Sequence, residues 1–234
     1  MRILAFDCAT SACSAALWDD GRIVARRFEA MNRGHGKFLV PMIGDVMAQA
    51  GMEYSDLDLL ATTIGPGRFT GMRIGLATAR AMALAAQLPC LGISTLEAVA
   101  NGIDEAERKT ATVLVCLDSK RVDIFTQAFA PDVSPLGEAG AVMPEDLAVF
   151  VHLGGNVGGP VLVAGDVAGR AVEALAGGAV EARLSTAPGT PDAAVVCAIA
   201  AKRWDVNVTI SPPRPLYLRP PDAKAPKDGG RLRP

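Results

Sequence analysis

The sequence predicts an α/β fold of two lobes, in which the order β-β-β-α-β-α-β occurs once and then recurs in reduced form. Three observations predict it. Short apolar runs of strand length alternate with amphipathic segments of helical period. The run Thr112–Asp118 (TVLVCLD) echoes Ile3–Asp7 (ILAFD), and both end on aspartate. The chain has 234 residues, half of them hydrophobic and 21% charged, which suffices for one large domain or two small ones with a sizeable core.

The first round opens as an antiparallel meander. Strands are expected at Ile3–Ala9, Cys13–Trp18 and Arg22–Ala30, with Asp20-Gly21 as a hairpin turn between the last two. Gly36–Ala50 reads as a helix whose apolar stripe is Phe38, Leu39, Met42, Ile43, Val46 and Met47. The stripe is rich in methionine, which adapts to uneven partners. Strands at Leu59–Ile64 and Cys90–Ser94 flank a second helix, and a further helix is expected from Leu96 to Ala106.

The second helix is launched by the stretch IGPGRFTGMRIG, Ile64 to Gly75. Gly65-Pro66-Gly67 is a turn signal, because glycine accepts positive φ and proline fixes its own. Thr70 is placed to cap a helix that runs from Gly71 to about Leu88, before Pro89. Gly71, Gly75 and Ala79 recur every four residues and form a strip without bulk, open to close approach by another backbone. Arg73, Ala77, Arg80 and Leu84 lie on a different line that mixes apolar and cationic groups, as protein surfaces that pair often do.

The second round is expected to hold strands at Thr112–Asp118, Val122–Ala130 and Val161–Asp166, and helices at Val167–Ala176 and Asp192–Trp204. A glycine-rich loop covers Leu153–Pro160. From Ser211 the chain turns proline-rich, with a packed hook expected as far as Leu218 and a flexible basic tail after it. From Arg214 onward there are six cationic and two acidic residues, leaving about +4. Such a tail suits solubility first and RNA phosphates second. The expected division is a lobe at 1–108, a smaller lobe at 109–222 and the tail at 223–234.

Composition narrows the class. A net charge of −2 argues against the whole surface being a nucleic-acid platform. The five cysteines, Cys8, Cys13, Cys90, Cys116 and Cys197, form no CxxC pair and read as reduced core residues of a cytoplasmic protein. No apolar segment reaches the roughly 18–20 residues that cross a bilayer, so no membrane partner is expected.

Asp7-Cys8-Ala9-Thr10-Ser11-Ala12-Cys13-Ser14 has the form of the first phosphate loop in the actin–hexokinase–Hsp70 group. Asp7, Thr10, Ser11 and Ser14 are therefore candidate nucleotide or phosphate ligands. The second half repeats the aspartate at Asp118, but Ser119-Lys120-Arg121 follows it instead of glycines, so the backbone lacks the freedom to approach a phosphate. His35 and His152 belong to no HxxxH or HExxH pair, and no metal site is expected. Asp7 with Asp118 remains a candidate carboxylate pair across a cleft.

Taken together, ILAFDCATSACSAALW, HGKFLVPMIGDVMAQAG, IGPGRFTGMRIGLATARAMALA, LGISTLEA and the terminal PLYLRPPDAK resemble the TsaB (YeaZ) family, over about residues 1–100 and 213–224. The resemblance implies an ASKHA (actin-like, RNase H-like) fold with a reduced second lobe. It implies a non-catalytic accessory subunit in tRNA threonylcarbamoyladenosine synthesis that pairs with a TsaD-like catalytic paralogue, is joined by a TsaE-like ATPase, and meets tRNA indirectly through that complex. It implies no cofactor of its own, with ATP or ADP at the complex interface, and a homodimer when alone. It places the pairing surface on the helices at 36–50 and 71–88, so that Phe38, Met42, Val46, Gly71, Arg73, Gly75, Ala77, Ala79, Arg80 and Leu84 are the expected contacts. On this reading Gly75→Leu leaves the monomer folded and blocks docking.

Three positions depart from the family pattern: Arg68 stands where serine is usual, Ser119-Lys120-Arg121 where Ala-Arg is usual after Asp118, and Leu39 follows His35 where the catalytic paralogue has a second histidine. The rival readings are an autonomous small ATPase or phosphotransferase using Asp7 and its loop, a glycopeptidase-like metalloprotease, and RNA binding through the tail.

Overall fold

Unbroken apolar runs belong in the middle of a sheet and alternating ones at its edge, and the first lobe follows that rule. Its strands are β1 (Arg2–Asp7), β2 (Ala12–Asp19), β3 (Arg22–Ala30), β4 (Leu59–Thr63) and β5 (Cys90–Ile93), ordered β3-β2-β1-β4-β5. β1 and β4, which are buried from Ile3 to Asp7 and from Leu59 to Thr63, lie beside each other within the sheet and pair in parallel, Ile3 opposite Leu59. The charged β3 forms the edge. The structure is a computed structural model that describes residues 1–154, 159–176, 180–208 and 210–219. The tail at 223–234, and residues 155–158 of the glycine-rich loop, lie outside the described residues.

Helices α1 (His35–Ala50) and α2 (Phe69–Ala86) cover one face of this sheet. Leu39, Met42, Ile43, Val46 and Met47 of α1 and Ala79 of α2 join Leu4, Phe6 and Leu17 in one core. Arg68, in an extended conformation, occupies the N-cap position of α2, so Thr70 is not its cap. The helix ends at Gln87, whose φ of 54° is left-handed, just before Pro89. The helix expected at 96–106 divides into α3 (Thr95–Asn101) and α4 (Glu105–Arg108). Asp104 caps α4 by accepting from the Ala106 amide at 2.8 Å.

The second lobe contains β6 (Thr112–Asp118), β7 (Ile124–Phe129), β8 (Gly140–Val142), α5 (Leu147–Leu153), β9 (Val161–Ala164), α6 (Ala168–Leu175) and β10 (Ala182–Leu184), and α7 (Ala193–Arg203) follows it. Read from its β8 edge, the sheet runs β8-β7-β6-β9-β10 and repeats the first sheet position by position. The expected duplication is thus complete in strands, and most elements of the second copy are shorter. β8, α5 and β10 are not anticipated from sequence, because strands of three residues and a helix of seven carry too little periodicity.

The expected boundary at 108/109 does not follow the packing. α7 belongs to the second half of the chain, yet Val196, Cys197, Ile199 and Ala200 pack on the far face of the first sheet, against Ile3, Ala5, Leu59 and Ala61. Leu96, Val99 and Ala100 of α3 pack in turn with Val113, Val115 and Leu162 of the second sheet. Each lobe therefore borrows a helix from the other half of the chain. The C-terminal hook also returns to the first lobe, where the Leu216 amide donates to Ile64 O at 2.8 Å. It reaches the second lobe through an ion pair between Arg219 and Asp123.

Candidate functional site

The loop after β1 is enclosed. Asp7 is fully buried; its Oδ1 accepts from the Thr63 hydroxyl and, at 3.0 Å, from the Ala9 amide. Its Oδ2 has no partner among the described residues. Burial pushes its carboxyl up to about 7, against the two hydrogen bonds and with a small addition from the charge of Asp192. Thr10 and Ser14 are buried as well, and Ser14 Oγ accepts from the Ala193 amide at 3.0 Å. Ser11 is partly exposed and its carbonyl accepts from Met31.

What covers this loop is the glycine–proline turn. The Arg68 amide donates to Ala9 O at 2.7 Å, and Cys8 Sγ donates to Gly71 O at 3.1 Å. A β-carbon on Gly67 or Gly71 would collide with the carbonyl oxygen of Ala9 or Cys8, so both positions require glycine for this close approach. Asp7, Thr10 and Ser14, the candidate phosphate ligands, therefore lie beneath this turn, with Asp7 Oδ2 and Thr10 Oγ1 unpartnered among the described residues. The carboxylate pair of Asp7 and Asp118 lacks support for the same reason. Asp118 pairs instead with Lys120, which holds its carboxyl below the usual range although burial opposes this.

The two helical lines part company. Gly71, Gly75 and Ala79 are buried against the molecule's own sheet; a β-carbon on Gly75 would lie 3.4 Å from Cys8 Sγ and 3.5 Å from Thr62 Oγ1. Met42 and Val46 are core residues. These five are therefore removed from the expected partner face: the strip free of bulk serves an internal helix–sheet contact. Gly75→Leu would disrupt that core rather than spare the fold. Arg73, Ala77, Arg80 and Leu84 are exposed, as is Phe38, with Leu84 82% and Phe38 47% accessible. α1 and α2 lie side by side, where a β-carbon on Gly36 would touch Ile74 at 3.4 Å.

Between the lobes, the start of α2, the β6–β7 connection and the C-terminal hook enclose a cleft of about 900 Å³. Phe69 and Tyr217, which the sequence reading did not single out, stack at its edge with ring centroids 6.2 Å apart. The Arg73 guanidinium lies 3.6 Å over the Phe69 ring, and its Nε donates to Tyr217 Oη at 2.9 Å. The only signal in the sequence is a phenylalanine in the first turn of a helix, where no apolar stripe requires it. Behind the cleft, Asp166 accepts from the Asp118 amide at 2.8 Å, and burial raises its carboxyl. His35 is buried with Nε2 3.0 Å from Thr10 O. Among the described residues no three His, Cys, Asp or Glu side chains cluster as a metal site, and no helix is long and apolar enough to cross a membrane.

The family model described as TsaD, tRNA N6-adenosine threonylcarbamoyltransferase, matches residues 28–154. The Escherichia coli tRNA threonylcarbamoyladenosine biosynthesis protein TsaB is 42% identical over 134 residues, 56% of each chain. An uncharacterized Mycobacterium tuberculosis protein is 30% identical over 95% of this chain and 93% of its own. The solved structure of YeaZ from Pseudomonas aeruginosa superposes with a TM-score of 0.78 at 26% identity, covering 93% of this chain and 99% of that one. The chain spans little more than half the length of the TsaB relatives from Escherichia coli and Haemophilus influenzae, 56% and 52%.

Proposed function

The chain belongs to the TsaB (YeaZ) family, and from that premise we propose that it is a non-catalytic scaffold subunit in tRNA threonylcarbamoyladenosine synthesis. It pairs with a TsaD-like paralogue that transfers the threonylcarbamoyl group to the adenosine beside the anticodon. A TsaE-like ATPase completes the complex, and tRNA is met through the complex. In isolation the chain forms a homodimer through the same helices.

One observation carries the proposal: α2 keeps its glycine strip inside and turns Arg73, Ala77, Arg80 and Leu84 outward. Small and apolar side chains interleaved with arginine suit a surface that is desolvated on pairing, since arginine is enriched and lysine depleted at such interfaces. The enclosure of Asp7 beneath the Gly65–Gly67 turn fits the accessory role, because in this conformation the turn lies between the carboxylate and solvent. Scaffolding then acts by differential binding: the subunit holds its partner in the active conformation by binding that state more tightly.

Titration of the TsaD-like paralogue with this chain tests the surface. Ala77→Arg places a long charged side chain where a partner helix would rest, and is expected to weaken pairing by roughly tenfold or more, as truncation or blockage at an interface centre does. Pairing at wild-type strength would remove α2 from the interface.

A further inference from the structure

We propose that the C-terminal hook completes the pairing face: Tyr217, together with Phe69, holds the Arg73 guanidinium as a receptor for an aspartate or glutamate carboxylate of the TsaD-like partner. The inference rests on the reading of α2 as the pairing face. It adds to that face a residue from outside the helix and the chemistry of the group it receives.

Four observations point to it. Phe69, Arg73 and Ala77 follow one another at four-residue spacing and are all exposed, so the outward line of α2 begins at Phe69. Phe69 stacks with Tyr217, which brings the hook onto that line. The Arg73 guanidinium is held at several points: 3.6 Å over the Phe69 ring, 5.8 Å from the centre of the Tyr217 ring, and by its Nε, which donates to Tyr217 Oη at 2.9 Å. Its terminal nitrogens, by contrast, make no hydrogen bond or ion pair among the described residues, which leaves the two-pronged end of the fork for a carboxylate. Finally, α2 contains no aspartate or glutamate, and Arg80 adds a second exposed cation to it.

Other arginines show what is different here. Arg26, Arg183, Arg203 and Arg219 each pair with a carboxylate of the same chain. Arg73 is oriented too, but by two aromatic rings and a hydroxyl, none of which neutralises its charge. An arginine ordered before docking loses less side-chain freedom when its partner arrives. Phe69 and Tyr217 remain 57% and 46% exposed, so a partner that reaches Arg73 also covers two rings. Tyrosine and arginine are the side chains that anchor interfaces most often. An outward line that bears Arg73 and Arg80 and no acid is complementary to an acidic partner surface. Tyr217 is then a positioning residue that acts through Arg73.

The test is calorimetric titration of the TsaD-like paralogue with the full chain, at low and at high salt. Arg73→Gln should weaken pairing by roughly tenfold or more and flatten its salt dependence, because a charge pair is lost. Arg73→Lys keeps the charge but not the fork, and should still weaken pairing severalfold, about fivefold. Tyr217→Phe keeps the ring stack and removes only the oxygen that accepts from Nε; it should weaken pairing by roughly threefold. In the Arg73→Gln background Tyr217→Phe should change nothing further, whereas a merely structural tyrosine would cost the same in both backgrounds. Circular dichroism confirms that each variant is folded, and Arg73→Lys carries the test if Arg73→Gln is not. Ala77→Arg separates the two readings. If it blocks pairing while both Arg73 variants pair at wild-type strength, or while Tyr217→Phe costs the same in both backgrounds, this inference falls and the pairing face stands. If Ala77→Arg pairs at wild-type strength, α2 leaves the interface and both fall.

Discussion

The amide of Arg68 donates to the carbonyl oxygen of Ala9 across 2.7 Å, clasping the start of α2 to the loop that follows β1. Gly67 and Gly71 flank the clasp, and neither has room for a β-carbon. Gly71→Ala is therefore expected to destabilise the fold by about 3 kcal/mol or more, since backbone atoms rather than a movable side-chain tip are in the way. Gly75→Ala meets Cys8 Sγ at 3.4 Å and gains helix propensity, so it should stay within about 1 kcal/mol of wild type. Urea unfolding of the two variants checks the contrast.

Asp7 gives a pH prediction. Its carboxyl rises from 3.8 to about 7 on folding, so the folded chain binds this proton more tightly than the unfolded chain does. The associated stability is fully present below pH 3.8 and is lost as pH rises through about 7. Asp7→Asn removes the titration. The stability of wild type relative to Asp7→Asn should fall across that window by a few kcal/mol at most, on the order of 1 kcal/mol per pH unit. A flat difference between pH 4 and 7 would contradict the burial argument.

Much of this was legible in the sequence. The strands β1, β4 and β6 are apolar enough to be read directly, and helical spacing puts Arg73, Ala77, Arg80 and Leu84 on one line and Gly71, Gly75 and Ala79 on another. Spacing alone does not say which of two lines on one helix faces inward. Gly71, Gly75 and Ala79 suit a close contact with any backbone, and only the fold shows that the backbone is the chain's own loop and sheet. The meeting of Arg73 with Tyr217, 144 residues apart, depends on a hook that local pattern does not place. The exchange of α3 and α7 between lobes is equally silent, since an amphipathic helix shows that it is covered but not by which sheet.

Asp192 joins two roles. Its carboxylate caps α7 by accepting from the Ala194 amide at 2.9 Å, and it pairs with Arg26 of β3. Asp192→Ala should lose both and lower stability by about 1–2 kcal/mol, mostly from the cap, because the Arg26 side chain is nearly half exposed. Arg26→Gln, which leaves the cap intact, should cost less than about 1 kcal/mol. Thermal unfolding of the pair separates the two contributions.

Leu84 is the most exposed large apolar side chain of α2, 82% accessible, and the isolated fold gains little from it. Leu84→Glu should leave thermal stability within about 0.5 kcal/mol of wild type. The same change should shift the isolated chain toward monomer in analytical ultracentrifugation, because a pairing face of this composition does not accept a carboxylate at its core.

The central claim is that the chain activates a catalytic partner through the outward face of α2. Threonylcarbamoyl transfer to tRNA by the TsaD-like and TsaE-like proteins should be measured without this chain, with wild type, and with folded Ala77→Arg. Transfer that requires wild type and fails with Ala77→Arg is the predicted result. Transfer that proceeds equally in all three reactions would contradict the account.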